Sequence, residues 1–212
     1  MARTFGWFAS GPARHWKSGG PSQDAVLRHA PLPPAGVWIS PAQARDWPFN
    51  LRGVEAEIAL RLGRAVDSET VRSIDATSAA ELIDAMCVSI EIVDSRWVEG
   101  LDAPARAKLA DLQSHGALVL GAWMPFAARD WRSQRCRVRI GDLAPVERTG
   151  SHPMQDPAFV LPAWLTHATR HGDTIPAGTV VTTGSWVGIL HAVSGDLVTA
   201  EFVGIGQASV QL

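Results

Sequence analysis

The segment 54–62 constrains the fold of this chain most strongly, because its hydrophobicity alternates with a period of two. Val54 and Ile58 belong to an apolar set on one side, whereas Glu55 and Glu57 fall on the other. Residues two positions apart project from the same face of a strand but diverge by about 200° on a helix. We therefore predict a β-strand with one buried face.

Strands dominate the rest of the pattern. Residues 88–93 alternate in the same way, with Ile90 on one side and Glu91 on the other. Residues 1–50 are rich in Gly and Pro, which favours short strands and ordered loops over long helices. Further strands are predicted at 117–120, 135–140, 178–183, 188–193, 197–203 and 208–212, and helices at about 78–86, 104–113 and 157–169.

The predicted helices rest on local signals. Ser78 and Glu81 have the spacing of a capping box, and Pro104 suits a first helical position. Pro162 would kink the last helix or mark its start. Since helices and strands do not alternate strictly, we predict an α+β or mainly-β fold. Residues 1–212 are expected to form one domain, with a loop-rich part at 1–50 and a β core at 51–212.

The composition is ordinary for a globular protein, with 46% hydrophobic and 19% charged residues and a net charge of −2. This balance argues against nucleic acid or a membrane surface as the main partner. Arg135, Arg137 and Arg139 alternate with apolar residues, so we interpret them as one exposed strand face. No segment resembles a signal peptide or a bilayer span, and Cys87 and Cys136 fit reduced thiols. We expect a cytoplasmic protein.

Glu55, Glu57 and Glu91 are the residues with the clearest chemical potential. Glu55 and Glu57 would share one strand face, with their backbone positions roughly 6–7 Å apart. Glu at alternate strand positions is often just a solvated face. Glu91, however, lies between apolar residues, where a buried carboxylate without partners would be costly. Carboxylates on two strands can hold a hard divalent cation such as Mg²⁺ or Mn²⁺, and spacing alone leaves both interpretations open.

Several segments, in order, resemble the fumarylacetoacetate hydrolase superfamily, and specifically its branch of 2-keto-4-pentenoate hydratases and 4-oxalocrotonate decarboxylases. The two most specific are GVEAEIALRLG (53–63) and IEIVDSRW (90–97). The supporting segments are WKSGG (16–20), ADLQSHGALVLG (110–121), GSHPMQDP (150–157) and the closing run 177–212. The similarity therefore extends over nearly the whole chain.

The resemblance implies a fold and a set of site residues. The fold is a distorted β-roll or sandwich with peripheral helices, commonly assembled into homo-oligomers. The implied metal ligands are Glu55, Glu57 and Glu91. The implied catalytic residues are Lys17, which matches the active-site lysine and is expected to have a lowered pKa near a cation, and Ser114. The implied substrate-binding residues are Thr183, Gly184 and Ser185.

The chain also departs from the family pattern. Leu112 stands where a D-N-x-S segment has its Asn, and the stretch 36–43, which in hydratases offers a pocket acid, has Ser40 and Pro41 near that position. The leading hypothesis is a metal-dependent hydratase that converts 2-hydroxypenta-2,4-dienoate to 4-hydroxy-2-ketopentanoate. One alternative is a decarboxylase or C–C hydrolase of oxaloacetate, 4-oxalocrotonate or an acylpyruvate. Another is a non-catalytic protein that binds a metal and a keto acid.

Overall fold

The computed structural model describes residues 6–8 and 11–212, which form two β-sheets with short helices around them. The strands are β1 His15–Gly19, β2 Arg28–Pro31, β3 Val37–Ile39, β4 Ala42–Gln43, β5 Gly53–Leu62, β6 Ile83–Val93, β7 His115–Leu120, β8 Met124–Pro125, β9 Arg135–Ile140, β10 Val146–Thr149, β11 Val180–Thr182, β12 Leu190–His191, β13 Leu197–Phe202 and β14 Gly206–Gln211. The α-helices are α1 Ser68–Val71, α2 Ala76–Ala80, α3 Ala105–Ala110 and α4 Leu161–Thr169. Short 3-10 turns cover Pro34–Gly36, Gly100–Asp102, Trp131–Ser133 and Pro157–Val160.

The larger sheet has nine strands, with the central order β2-β1-β11-β5-β6-β7-β3, while β12 pairs with β5 and β8 pairs with β6. The smaller sheet has five strands in the order β10-β9-β13-β14-β4. Most neighbours are antiparallel, but three pairs are parallel, namely β1 with β11, β3 with β7 and β4 with β14. The predicted mainly-β fold with peripheral helices is confirmed. None of the helices in the described part of the chain is long and apolar enough to cross a membrane.

The strand pair β5–β6 forms the centre of the larger sheet. One face carries Ile58 and Ile90, which are fully buried in the main core together with Phe202 and Val210 from the smaller sheet. The prediction of only one buried face is wrong, because the other face is covered as well. The larger sheet curls over it, and a second apolar cluster forms there from Leu32, Ala59, Cys87, Leu118, Leu120 and Val180. Both faces of these strands are therefore covered.

The helix predicted at about 78–86 is also wrong. Helix α2 begins after Asp75, whose side chain accepts a hydrogen bond from the Ser78 backbone, while the Ser78 hydroxyl receives one from the Asp75 backbone. The capping box is therefore formed three residues earlier in the chain than predicted. Residues 83–93 are a single long strand that is buried on both faces except at Asp84, and its apolar run at 85–88 was mistaken in part for a helix.

The other elements lie close to their predicted positions. Strand β9 matches its prediction, with its arginines on the exposed face, and the chain before residue 50 forms short strands as expected. Cys87 and Cys136 are buried and free. Pro162 lies in the first turn of α4 and marks a start rather than a kink. The strand predicted at 188–193 shortens to Leu190–His191, because Gly184 and Gly188 take positive φ angles and turn the chain before it.

Candidate metal and keto-acid site

Three carboxylates converge on the covered face of β5–β6. Glu55 pairs directly with Glu91 across the two strands, and Glu57 lies two residues along β5. One carboxylate oxygen from each residue lies within 4.8 Å of the others. Glu57 and Glu91 are buried, with 2% and 0% exposure. The convergence expected from strand geometry is thus present, and the alternative of a solvated face does not hold.

Lys17 completes this cluster from a neighbouring strand. Strand β1 lies next to β11, which in turn pairs with β5, so Lys17 lies level with Ala59, two residues along β5 from Glu57. Its Nζ is 2.5 Å from Glu91 Oε1 and donates a second hydrogen bond, of 3.1 Å, to the Gln113 carbonyl oxygen. The ion pair and the carbonyl together fix the position of the ammonium group.

The electrostatics of the cluster show an excess of negative charge. Burial and the Glu57 carboxylate raise the pKa of Glu55 to about 8, and burial and the Glu91 carboxylate raise the pKa of Glu57 to about 7. Burial acts to raise the pKa of Glu91 as well, but Lys17 and His115 outweigh it and lower that pKa. One lysine therefore does not balance three carboxylates, and Glu55 and Glu57 hold their protons more tightly than ordinary glutamates.

The pKa of Lys17 is shifted in the direction opposite to the one predicted from the sequence. Burial lowers the pKa of its ammonium group, but the carboxylates of Glu91, Glu55 and Glu57 outweigh burial, and the net shift is upward. The expected lowering presupposes a bound cation close to the amine. With the side chains of the protein alone, Lys17 is held as a charged ammonium group.

The loop before β7 brings Ser114 to the same site in an unusual backbone conformation. Leu112, Gln113 and Ser114 all have positive φ angles, of 51°, 60° and 60°. Each non-glycine residue in this region costs roughly 1–2 kcal/mol, so surrounding contacts must hold the loop. Helix α3 ends at Ala110 rather than at the predicted residue 113 because these residues leave the helical region.

Arg96 supplies those contacts. Its guanidinium pairs with the Asp111 carboxylate and also donates hydrogen bonds to the carbonyl oxygens of Asp111 and His115. The Ser114 hydroxyl is buried and has no hydrogen-bond partner among the described residues. The residue Ser114 lines a cavity of about 390 Å³ together with Lys17 and Glu55.

His115 is a site residue that the sequence analysis missed. It is only 2% exposed, and its Nδ1 lies 3.1 Å from Glu91 Oε1. Burial lowers the pKa of His115 despite the neighbouring carboxylate, so the ring is neutral and Nδ1–H donates to Glu91. In the sequence, the available signal was a single histidine directly before an apolar strand. The structure shows that this strand, β7, pairs with the strand that carries Glu91.

The loop after β11 contains the three residues expected to contact substrate, and they differ in position. The Gly184 backbone N–H donates to Glu57 Oε2 over 2.9 Å, and both Gly184 and Ser185 line a cavity of about 420 Å³ with Lys17, Glu55 and Glu57. Thr183 does not line it. Its hydroxyl is fully buried and donates to the Ile58 carbonyl oxygen over 2.8 Å.

The expectation for Thr183 is therefore corrected, since its side chain joins the loop to β5. Thr182, one residue earlier, lines the cavity instead. Gly184 takes a φ of 110°, and a Cβ atom there would lie 3.2 Å from the Met154 side chain. The sharp turn that presents its N–H to Glu57 therefore favours glycine. His152 stabilises the same loop, because its Nε2–H donates to the Thr183 carbonyl oxygen.

The site lacks the pocket acid of the hydratase pattern at the expected position. The Ser40 hydroxyl accepts a hydrogen bond from the Ser209 backbone in the smaller sheet. Neither Ser40 nor Pro41 is among the residues that line the two cavities beside Lys17. Glu55 and Glu57 are the carboxylates that line them among the described residues.

A family model matches most of this chain. The family model described as fumarylacetoacetate (FAA) hydrolase C-terminal matches residues 26–212. The chain belongs to this family. Within it, the chain is 32% identical over 159 residues to 2-keto-4-pentenoate hydratase 1 of Dechloromonas aromatica (strain RCB), which supports the branch indicated by the sequence motifs. That alignment covers 74% of this chain and 58% of the relative's length.

Solved structures support the same fold. The 4-oxalocrotonate decarboxylase of Pseudomonas putida G7, solved with calcium and acetate and also with magnesium and adipate, superposes with a TM-score of 0.75 at 18% identity. The superposition covers 95% of this chain and 78% of that one. A 2-hydroxyhepta-2,4-diene-1,7-dioate isomerase of Mycobacterium marinum gives a TM-score of 0.61 at 13% identity, covering 94% and 74% of the two chains. The β-roll expected for this family is therefore confirmed.

Proposed function

We propose that this protein is a divalent-metal-dependent lyase that acts on a small 2-keto acid, and that hydration of a 2-hydroxy-2,4-dienoate is its leading reaction. The observation that supports this proposal is the convergence of Glu55, Glu57 and Glu91 within 4.8 Å on one covered strand face. Carboxylate clusters of this kind suit hard divalent cations. The related hydratase of D. aromatica supports the choice of reaction.

The side chains fit a cation such as Mg²⁺ or Mn²⁺. Glu91 Oε2 is buried without a hydrogen-bond partner among the described residues, although its other oxygen has two. A buried carboxylate oxygen without a partner is costly. A cation held by Glu55, Glu57 and Glu91 would satisfy this oxygen and offset the excess negative charge. When bound there, such a cation would supply Lewis-acid polarisation of a keto group.

Other groups of the chain would perform the remaining tasks. We assign Lys17, held as an ammonium group, to stabilise negative charge on the substrate and to deliver a proton from Nζ. The Ser114 hydroxyl, which is unpaired among the described residues, would orient the substrate or the added water. His115 and the Gly184 N–H hold Glu91 and Glu57 in place. Gly184 and Ser185 would form the wall next to the substrate.

Decarboxylation is the second candidate, and the absence of an acid at Ser40 favours it, whereas C–C hydrolysis, the other alternative, needs an activated water just as hydration does. Hydration needs a group that activates water, whereas loss of CO₂ needs only stabilisation of the enolate that remains.

We also propose that residues 1–212 act as one catalytic domain, which the family match over 26–212 supports. Cytoplasmic location and assembly into a homo-oligomer remain predictions, and light scattering of the purified chain would test the assembly.

An ultraviolet assay with Mg²⁺ or Mn²⁺ on dienoate, oxaloacetate and acylpyruvate substrates tests the proposal. Loss of dienoate absorbance without release of CO₂ would select hydration, and metal-dependent release of CO₂ would select decarboxylation. Metal binding without turnover of any substrate would contradict the enzymatic proposal and favour a non-catalytic binding protein.

A further inference from the structure

Three cationic side chains, Lys17, Arg28 and Lys108, line the cavity that contains Glu55. Two of them are already engaged. Lys17 pairs with Glu91, and Lys108 Nζ donates to the Leu101 carbonyl oxygen over 3.1 Å. The Arg28 guanidinium makes no hydrogen bond or ion pair with any residue from 6–8 or 11–212. It is the cation in this cavity that is free to bind a ligand.

The register of β1 and β2 directs Arg28 toward the site. Lys17 lies opposite Ala30, and Gly19 lies opposite Arg28. Directly opposed residues of an antiparallel pair project from the same face, as do residues two apart on one strand. Arg28 therefore projects from the same face as Lys17, roughly 6–7 Å further along the strands. It lines both the 390 Å³ and the 420 Å³ cavities, as Glu55 does.

The 390 Å³ cavity also has apolar side chains in its lining. Val93, Leu101 and Ile189 line the cavity that holds Arg28, Lys17 and Glu55. A matching ligand would carry an anionic group at each end and a short hydrocarbon segment between them. An uncharged chain end would leave the exposed Arg28 guanidinium in contact with water alone.

We propose that Arg28 is a specificity-determining residue that binds a second carboxylate, so that the preferred substrates are 2-keto acids with two carboxylate groups. This inference rests on the proposed function, in which the carboxylates of β5 and β6 hold the 2-keto acid end through a cation. The guanidinium can bind the distal carboxylate with two parallel hydrogen bonds, a geometry that lysine does not reproduce.

Two five-carbon probes, 2-oxoglutarate and 2-oxopentanoate, test the inference because they differ only in a terminal carboxylate against a methyl group. Binding is measured by calorimetry on the intact chain with excess Mg²⁺. The wild type should bind 2-oxoglutarate at least about tenfold more tightly than 2-oxopentanoate, which is the lower range for a charge-assisted hydrogen bond. Arg28→Ala should remove this preference while leaving the affinity for 2-oxopentanoate within about twofold.

Arg28→Lys keeps the charge but not the paired hydrogen bonds, and it should retain only part of the preference. Arg135→Ala, on the exposed face of β9, removes the same charge far from the site and should behave as the wild type. Equal affinities for the two acids in the wild type, or an equal loss for both in Arg28→Ala, would overturn the role of Arg28. Failure of both acids to bind in the presence of Mg²⁺ would instead overturn the proposed function.

Discussion

Both faces of the strand pair β5–β6 are largely covered, but only one of them carries buried carboxylates. Ile58 is fully buried in the main core, and the adjacent Glu57 is only 2% exposed on the other face. Burial of an aliphatic side chain stabilises the fold by about 1.5–3 kcal/mol. Burial of a carboxylate costs free energy unless charges and hydrogen bonds compensate it. One face therefore stabilises the fold without any ligand, whereas the stability of the other depends on protons or a cation.

Replacement of Glu91 by Gln should have the largest effect on activity. It should act only on the face that carries Glu55, Glu57 and Glu91, which we call the chemical face. Glu91 is the partner of both Lys17 and His115. We expect metal-dependent turnover to fall by more than about 100-fold, since even loss of a residue that orients a ligand costs 10–100-fold. Asp84→Asn is the matched control, because Asp84 lies on the same strand and pairs with Arg61 at the surface. Equal activity in the two variants would contradict a role for Glu91.

Ile58→Ala tests the opposite face. Loss of a fully buried isoleucine should lower the free energy of unfolding by about 2–5 kcal/mol, because a cavity remains in the core. The affinity of the folded variant for Mn²⁺ should stay within about twofold of the wild type. Urea denaturation and metal titration measure the two quantities. A large loss of metal affinity with little loss of stability would show that the two faces are not separable.

His115→Ala should have an intermediate effect on the chemical face. The variant removes the N–H that orients Glu91, and metal affinity should fall by about tenfold. His115→Asn can place an amide N–H near the position of Nδ1 and should restore part of the affinity. A purely structural role for His115 would instead change the melting temperature of both variants without this difference in metal affinity.

The change in stability with pH should be the smallest of the predicted effects. The folded protein holds the protons of Glu55 and Glu57 more tightly than the unfolded chain, because their pKa values rise from 4.5 to about 8 and about 7. Deprotonation therefore favours unfolding. The histidines with lowered pKa values, such as His29 and His152, act in the opposite direction, but only below their ordinary value of 6.5.

The informative window thus lies between pH 6.5 and about 8. In the presence of a chelator, the melting temperature should fall across it by about 2 °C or more, since one pKa unit corresponds to about 1.4 kcal/mol. Excess Mg²⁺ should abolish this decrease, and Glu55→Gln should reduce it, because Glu57 still titrates in this window. A melting temperature that rises with pH in the chelator would contradict the raised pKa values.

The strand geometry of the acidic cluster could be predicted because an alternation of nine residues leaves little choice of secondary structure, and this predicts that Glu55 and Glu57 share a face. The covering of that face could not be predicted, since it depends on the curl of the larger sheet and on contacts such as Ala59 with Leu118. Single-strand periodicity contains no information about such distant neighbours.

The errors have a similar origin. Residues 85–88 are apolar on both sides, and such a segment fits a buried strand or a helix equally well. The positive φ angles of Leu112 to Ser114 depend on Arg96, which holds the loop from the end of β6. His115 was missed for the same reason, because its partner Glu91 lies 24 residues earlier and meets it only through the pairing of β6 with β7.

The most direct test of the central claim is a titration of the purified chain with Mn²⁺, followed by electron paramagnetic resonance, for the wild type and Glu57→Gln. If Glu55, Glu57 and Glu91 hold one cation, the wild type binds a single Mn²⁺ per chain and the variant binds it at least about 100-fold more weakly while remaining folded. Equal binding by the two proteins, or no binding by the wild type, would contradict the claim.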